Sequence, residues 1–179
     1  MKLIKKKNVT FLLSGGGSNL YQILKKNLAY KKFNTISIIS NNQVSKQIKE
    51  LIKLNELVIN IYERISNLKP KFLGDCDIIF SVGYLNKINS EIIENYEIIN
   101  LHPSLLPKYK GLMTHKRMLI NKEVKYGYSI HKVTKYLDDG EILTQNLRNI
   151  STFGENELSL NHKRLEHQCV FKDLVSFLN

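Results

Sequence analysis

The segment Ile98-Ile99-Asn100-Leu101-His102-Pro103-Ser104-Leu105-Leu106-Pro107 ends an apolar run in an amide and an imidazole. If the run is a strand, Asn100 and His102 lie two apart and share a face. Pro103 biases His102 towards extended backbone. Two further groups carry candidate chemistry: Ser129, His131 and Thr134, then Asp138, Asp139 and Gly140. A carboxylate near an imidazole favours its protonated form and fixes its orientation. An amide and an imidazolium together can hold an oxyanion. Serine hydrolysis is disfavoured, because no Gly-x-Ser-x-Gly elbow is present and Ser104 follows His102 across a proline. Each residue also has an ordinary use. A lone histidine often serves the core, and Asp139-Gly140 is a common turn pair. Spacing alone points to a site without naming its reaction.

A second candidate is Ser14-Gly15-Gly16-Gly17-Ser18-Asn19, between an apolar run and a helical pattern. Glycines let backbone N–H groups converge on an anion, and a helix N-terminus adds partial positive charge. Ser18 or Asn19 is expected to cap that helix. Leu20 occupies the third glycine position of a dinucleotide fingerprint, and no Gly-Lys-Ser/Thr follows. A phosphate on a small substrate fits better than either motif. The plain alternative is a tight turn.

The elements that must position these groups alternate. Strands are expected at Val9–Leu13, Thr35–Ser40, Leu57–Ile61, Asp77–Val82 and Glu97–Leu101, with helices from Leu20 through Leu28 and over Val44–Leu54. Continuous apolar runs fit strands buried on both faces. After Pro107 come a helix over Thr114–Asn121, strands over Lys125–Thr134 and Glu141–Leu147, and a helix from Glu155 to Leu178. The fold class is α/β: a Rossmann-like, mostly parallel twisted sheet with helices on both faces, in one domain spanning 1–179. In open sheets of this kind ligands bind at the C-terminal ends of the strands.

The 179 residues are 42% hydrophobic and carry a formal net charge of +11. That charge suits a nucleic acid or an anionic small molecule. The lysines are spread rather than clustered with aromatics, so we favour compositional drift with a general pull on anions. No apolar run approaches the roughly 20 residues of a membrane span, and Val9–Leu13 is too short for a signal sequence. A cytoplasmic protein is expected. Cys76 and Cys169 show no paired spacing, which disfavours a disulfide framework or structural metal.

Four motifs together resemble the phosphoribosylglycinamide formyltransferases, or glycinamide ribonucleotide transformylases. They are Leu13-Ser14-Gly15-Gly16-Gly17-Ser18-Asn19-Leu20, Asn100 through Gly111, Gly127 through Thr134 running into Leu137-Asp138-Asp139-Gly140, and Glu166-His167. They follow the family's order over nearly the whole chain. The second and third are specific together; the first alone is weak. The resemblance implies the formyltransferase fold and transfer of a formyl group from 10-formyltetrahydrofolate to the amine of glycinamide ribonucleotide, a step of purine biosynthesis. It makes Asn100, His102 and Asp138 catalytic, with Ser129, His131 and Thr134 supporting. It gives the substrate phosphate to Gly17, Ser18 and Asn19, and the glycinamide end to Glu166. It places the folate against Tyr84, Leu85, Asn86, Lys87 and Ile88, and against the loop from Lys135 to Asp139, which includes Asp138. No metal is implied, no membrane or nucleic acid is expected as partner, and monomer and homodimer stay open.

This chain departs from the family at several points. Gly16 replaces a frequent Asn, Asn86 and Lys87 replace an Arg and an apolar residue, and the stretch between Ile61 and Asp77 is short. Arg64 is the nearest counterpart of a phosphate-contacting arginine. The departures leave the catalytic set intact and bear on the acceptor. Rival readings are a formyltransferase for an amino sugar nucleotide or methionyl-tRNA, a formyltetrahydrofolate hydrolase, and a non-catalytic folate- or nucleotide-binding paralogue. The known tRNA and hydrolase families carry additional domains that are not expected here.

Overall fold

The computed structural model describes residues 5–151 and 154–179. One seven-stranded sheet runs in the order β3-β2-β1-β4-β5-β6-β7. The strands are β1 (Asn8–Leu13), β2 (Asn34–Ser40), β3 (Asn60–Tyr62), β4 (Ile78–Ser81), β5 (Ile98–His102), β6 (Lys125–Lys132) and β7 (Ile142–Asn149). β1 to β5 are mutually parallel, whereas β6 and β7 are added antiparallel. The sheet order reverses direction between β1 and β4, so loops leaving these strands diverge and open a crevice.

The parallel strands are buried as their apolar runs required. Phe11, Leu12 and Leu13 of β1 and Ile79 and Phe80 of β4 are fully enclosed. Two apolar clusters cover the faces. The larger packs α1 (Ser18–Tyr30), α2 (Lys46–Leu54) and α5 (Glu155–Leu178) through Leu20, Ile23, Ile48, Leu165 and Leu174. The smaller gathers Leu12, Ile39, Ile79 and Ile98 with Leu73, Ile88 and Ile92. Among the described residues no helix is long and apolar enough to cross a membrane, and Cys76 and Cys169 are free thiols.

Several expected boundaries move. The third strand lies at Asn60–Tyr62 rather than Leu57–Ile61, because only Ser37–Ile39 of β2 offer it a partner. The short stretch that follows holds a single 3-10 turn at Pro70–Phe72, where a proline stands at the start. A helix absent from the sequence reading, α3 (Ser90–Asn95), is started by the Asn89 side chain, which accepts from Ile92 N–H at 3.0 Å. The remaining helix, α4 (Thr114–Ile120), follows the loop after β5.

Candidate functional site

Strand β5 delivers Asn100 and His102 to its C-terminal end, and the antiparallel β6 lays His131 opposite Asn100 and Ser129 opposite His102. His131 Nδ1 lies 2.8 Å from the Lys132 carbonyl, so Nδ1 carries a proton and donates there. In that tautomer Nε2 accepts from Asn100 Nδ2 at 3.2 Å. This pairing orients the Asn100 amide and leaves its second N–H for another acceptor.

Asp138 arrives from the loop after β6. Its Oδ2 is 3.3 Å from His102 Nδ1, and its Oδ1 is 3.5 Å from His131 Nε2. Gly111 N–H donates to Oδ2 at 2.8 Å. Asp138 sits at φ 47, a left-handed backbone that Asp tolerates better than most residues. Thr134 closes the turn leading there, accepting from Tyr136 N–H and donating to the Tyr136 carbonyl. Burial raises the Asp138 pKa, but the neighbouring His131 ring, the bond from Gly111 N–H and the His102 charge outweigh it and hold the carboxyl below its usual value.

His102 is buried, and its Nε2 lies 2.9 Å from the Tyr109 carbonyl. Both ring nitrogens therefore face acceptors, an arrangement that suits the imidazolium. Burial nevertheless prevails, and His131 and Arg117 add to it against Tyr109 and Asp138, so the ring sits below its ordinary pKa. The sequence reading of a protonated His102 thus meets an opposing desolvation in the ligand-free protein. An arriving negative charge would lower that cost.

The supporting residues divide. Ser129 is fully buried and holds the loop after β5: it donates to the Ser104 carbonyl at 2.7 Å and accepts from Leu106 N–H at 3.0 Å. The Ser104 hydroxyl donates to the Lys108 carbonyl at 2.7 Å, so it is committed to the turn. Gly127 is required by closeness, since a Cβ there would lie 2.0 Å from the Asn146 carbonyl oxygen.

On the other side of the crevice, Gly17 takes φ 71 and is itself the N-cap of α1, without a side-chain cap bond. The expected cap by Ser18 or Asn19 is corrected. Both already lie within the helix, and Asn19 Nδ2 instead donates to Glu166 Oε2 of α5 at 2.8 Å. Gly15 and Gly16 have no heavy atom within 4 Å of a built Cβ. The loop after β4 is tied in by Leu85 N–H, which donates to Ser14 Oγ at 2.7 Å. There Leu85 and Lys87 are exposed, Asn86 accepts from Asn41 Nδ2 at 2.7 Å, Tyr84 is half-buried, and the Ile88 side chain belongs to the smaller core. Ile88 can therefore offer a ligand little beyond its backbone. Arg64 stands at φ 57 after β3, with its N–H on the Asn42 carbonyl.

Two histidines escaped the sequence reading. His162 is buried on α5, and its Nδ1 is 2.8 Å from His115 Nε2 of α4. His162 lies four residues before Glu166, a helical spacing that could have flagged it; His115 required the tertiary fold. Among the described residues no group of three or more His, Cys, Asp or Glu could hold a metal ion. The site offers one pre-aimed amide, an imidazole between two acceptors and a low-pKa carboxylate, which is equipment for moving protons around a developing oxyanion.

A family model described as Formyl transferase matches residues 7–173. The chain belongs to this family. The Escherichia coli (strain K12) phosphoribosylglycinamide formyltransferase is 27% identical over 150 residues, covering 77% of this chain and 71% of that protein. The chloroplastic phosphoribosylglycinamide formyltransferase of Vigna unguiculata is 28% identical over 160 residues, 79% of this chain and 51% of its own length. The phosphoribosylglycinamide formyltransferase of Coxiella burnetii, solved in complex with CHES, superposes with a TM-score of 0.82 at 26% identity, covering 97% of this chain and 88% of that one. The mostly parallel sheet is thus the formyl transferase fold.

Proposed function

We propose that this chain transfers a formyl group from 10-formyltetrahydrofolate to the amine of glycinamide ribonucleotide. The observation that carries the reading is the convergence of Asn100, His102, His131 and Asp138 at the end of β5. The relatives named for this reaction support the choice of acceptor.

In this mechanism the substrate amine attacks the formyl carbon, and the carbonyl oxygen becomes negative. Asn100 donates its free amide N–H to that oxygen, with His131 holding the amide in place. The growing negative charge raises the proton affinity of His102, which then releases the Tyr109 carbonyl and supplies a second donor. Asp138 balances the imidazolium and passes the amine's proton towards the folate nitrogen through water. Gly17, Ser18 and Asn19 hold the phosphate of the acceptor, and Glu166 faces its glycinamide end. The folate lies along Tyr84 to Ile88 and the loop reaching Asp138, through backbone groups and the exposed Leu85 and Leu137 side chains. We assign the protein to the cytoplasm with no resident metal.

The reading is tested by following donor consumption with three acceptors: glycinamide ribonucleotide, an amino sugar nucleotide and methionyl-tRNA. Turnover is expected with the first. Turnover confined to either of the others would replace it.

A further inference from the structure

The pair His115–His162 plays no part in the mechanism above, yet His162 is buried and His115 half-buried against it. The rings meet edge to face with centroids 4.8 Å apart at 87°, and Tyr126 of β6 closes the other side at 5.6 Å. His162 Nδ1 is committed to His115 Nε2 at 2.8 Å. His162 Nε2 is buried without a hydrogen-bond partner, and the nearest charged atom is Glu166 Oε1 at 3.8 Å. That gap is beyond a hydrogen bond but within reach of a small side-chain rotation, and such contacts tighten when ligand binds. The other Glu166 oxygen is held by Asn19 of the glycine loop. A line of polar atoms therefore runs from the loop, through Glu166 and His162, to the half-buried His115, with one 3.8 Å gap between Glu166 and His162.

We propose that His162 and His115 form a proton relay serving Glu166, carrying a proton from the acceptor's ammonium group to solvent. This rests on the functional reading above, since it supplies the amine that must attack as a free base. Protons balance along the line. The ammonium N–H bond breaks as a Glu166 O–H bond forms. Glu166 then protonates His162 Nε2, His162 Nδ1 releases its proton to His115 Nε2, and His115 Nδ1 gives one to water. Each transit inverts both neutral imidazole tautomers, and rotation of the two rings resets them for the next proton.

The surroundings fit this task. Burial raises the Glu166 carboxyl above its ordinary value, against Asn19 and Lys163, which favours its taking up a proton. Burial, with His115 and His102, pushes His162 down to about 3, so it stays neutral and acts by exchange rather than as a standing charge. The charged or titratable groups around the line are His102 of β5, Tyr126 and Tyr128 of β6, His115 of α4, and Glu155 and Lys163 on α5 itself. His162 acts through Glu166 and is therefore a positioning residue.

Two measurements on the full chain test the relay. Histidine-selective 15N NMR of the ligand-free protein should place the His162 proton on Nε2 while Glu166 is ionised and on Nδ1 once it is protonated. The change should vanish in Glu166→Gln. A His162 tautomer that ignores pH over the Glu166 titration would overturn the relay, whichever acceptor the enzyme uses. In formyl transfer to glycinamide ribonucleotide, His162→Leu should lower kcat/KM for the acceptor about tenfold, a modest share of what positioned proton transfer contributes. It should move the acid limb of that profile to higher pH and leave the folate KM unchanged. His162→Gln keeps an N–H donor and should restore the acceptor KM without the rate. An unchanged pH profile in a normally melting His162→Leu protein would contradict the proposal. Absence of turnover with glycinamide ribonucleotide in the wild type would sink the functional reading instead, leaving the NMR outcome to decide the relay.

Discussion

The two walls of the crevice are built differently. On the β5–β6 side, three segments lock Asn100, His102, His131 and Asp138 together, and every ring nitrogen in the cluster has a partner. On the β1–α5 side, Gly15 and Gly16 border open space, while Asn19 Oδ1 and His162 Nε2 are buried without partners. The first wall is pre-organised for one charge distribution. The second keeps unfilled polar capacity, as expected where a ligand completes the structure.

The largest effect should follow from breaking the locked wall at its hub. Asp138→Asn keeps the shape but removes the charge that faces two imidazoles. Steady-state kinetics should show kcat falling by about 10²–10⁴-fold, the usual contribution of a positioned acid or base, with the melting temperature little altered. Near-normal turnover would take Asp138 out of the chemistry. Asn100→Ala removes the pre-aimed amide donor, and the expected loss is about 10²–10³ in kcat. If KM for folate rose with kcat unchanged, Asn100 would be a binding residue instead.

A smaller effect concerns pH and separates the walls by titration. Burial lowers His102, His115, His162 and His167 from an ordinary value of 6.5. Below that value the unfolded chain binds more protons at these sites than the folded one, so stability falls on acidification. For His162 the loss continues down to about 3. The raised Glu166 and Asp173 act in the opposite sense, losing their contribution as pH rises through their folded values. Four histidines against two acids give a net decline in melting temperature below 6.5. His162→Leu should flatten that slope, and an unchanged slope would mean His162 is solvated. The smallest effect is expected on the open wall. Gly16→Asn meets no atom within 4 Å, so denaturant melts should shift by no more than about 0.5 kcal/mol. A larger loss would show that the loop is less open than its geometry indicates.

The same contrast explains what could be read in advance. Buried parallel strands announce themselves as apolar runs, so β1, β2, β4 and β5 were legible within a residue or two. β3 was misplaced because its three residues depend on β2 for pairing rather than on their own pattern. α3 was missed because it is six residues long and owes its start to one Asn89 side chain. In the site, Asn100, His102 and Asp138 carried a local signal of strand end, proline and turn. The His131–Asn100 bond needed antiparallel register, which sequence spacing does not supply. Gly17 displaced Ser18 and Asn19 as the cap of α1, because a left-handed residue was needed to turn the chain from β1 into the helix. The Asn19 side chain was thereby free to reach Glu166, across 147 positions of sequence.

The central claim is that the β5–β6 cluster moves a formyl group onto glycinamide ribonucleotide. Its most direct test is to incubate the protein with 10-formyltetrahydrofolate and glycinamide ribonucleotide and measure formylglycinamide ribonucleotide by mass spectrometry, with Asp138→Asn in parallel. The account predicts stoichiometric product from the wild type and almost none from the variant in the same interval. No product from the wild type, or equal product from both, would contradict it.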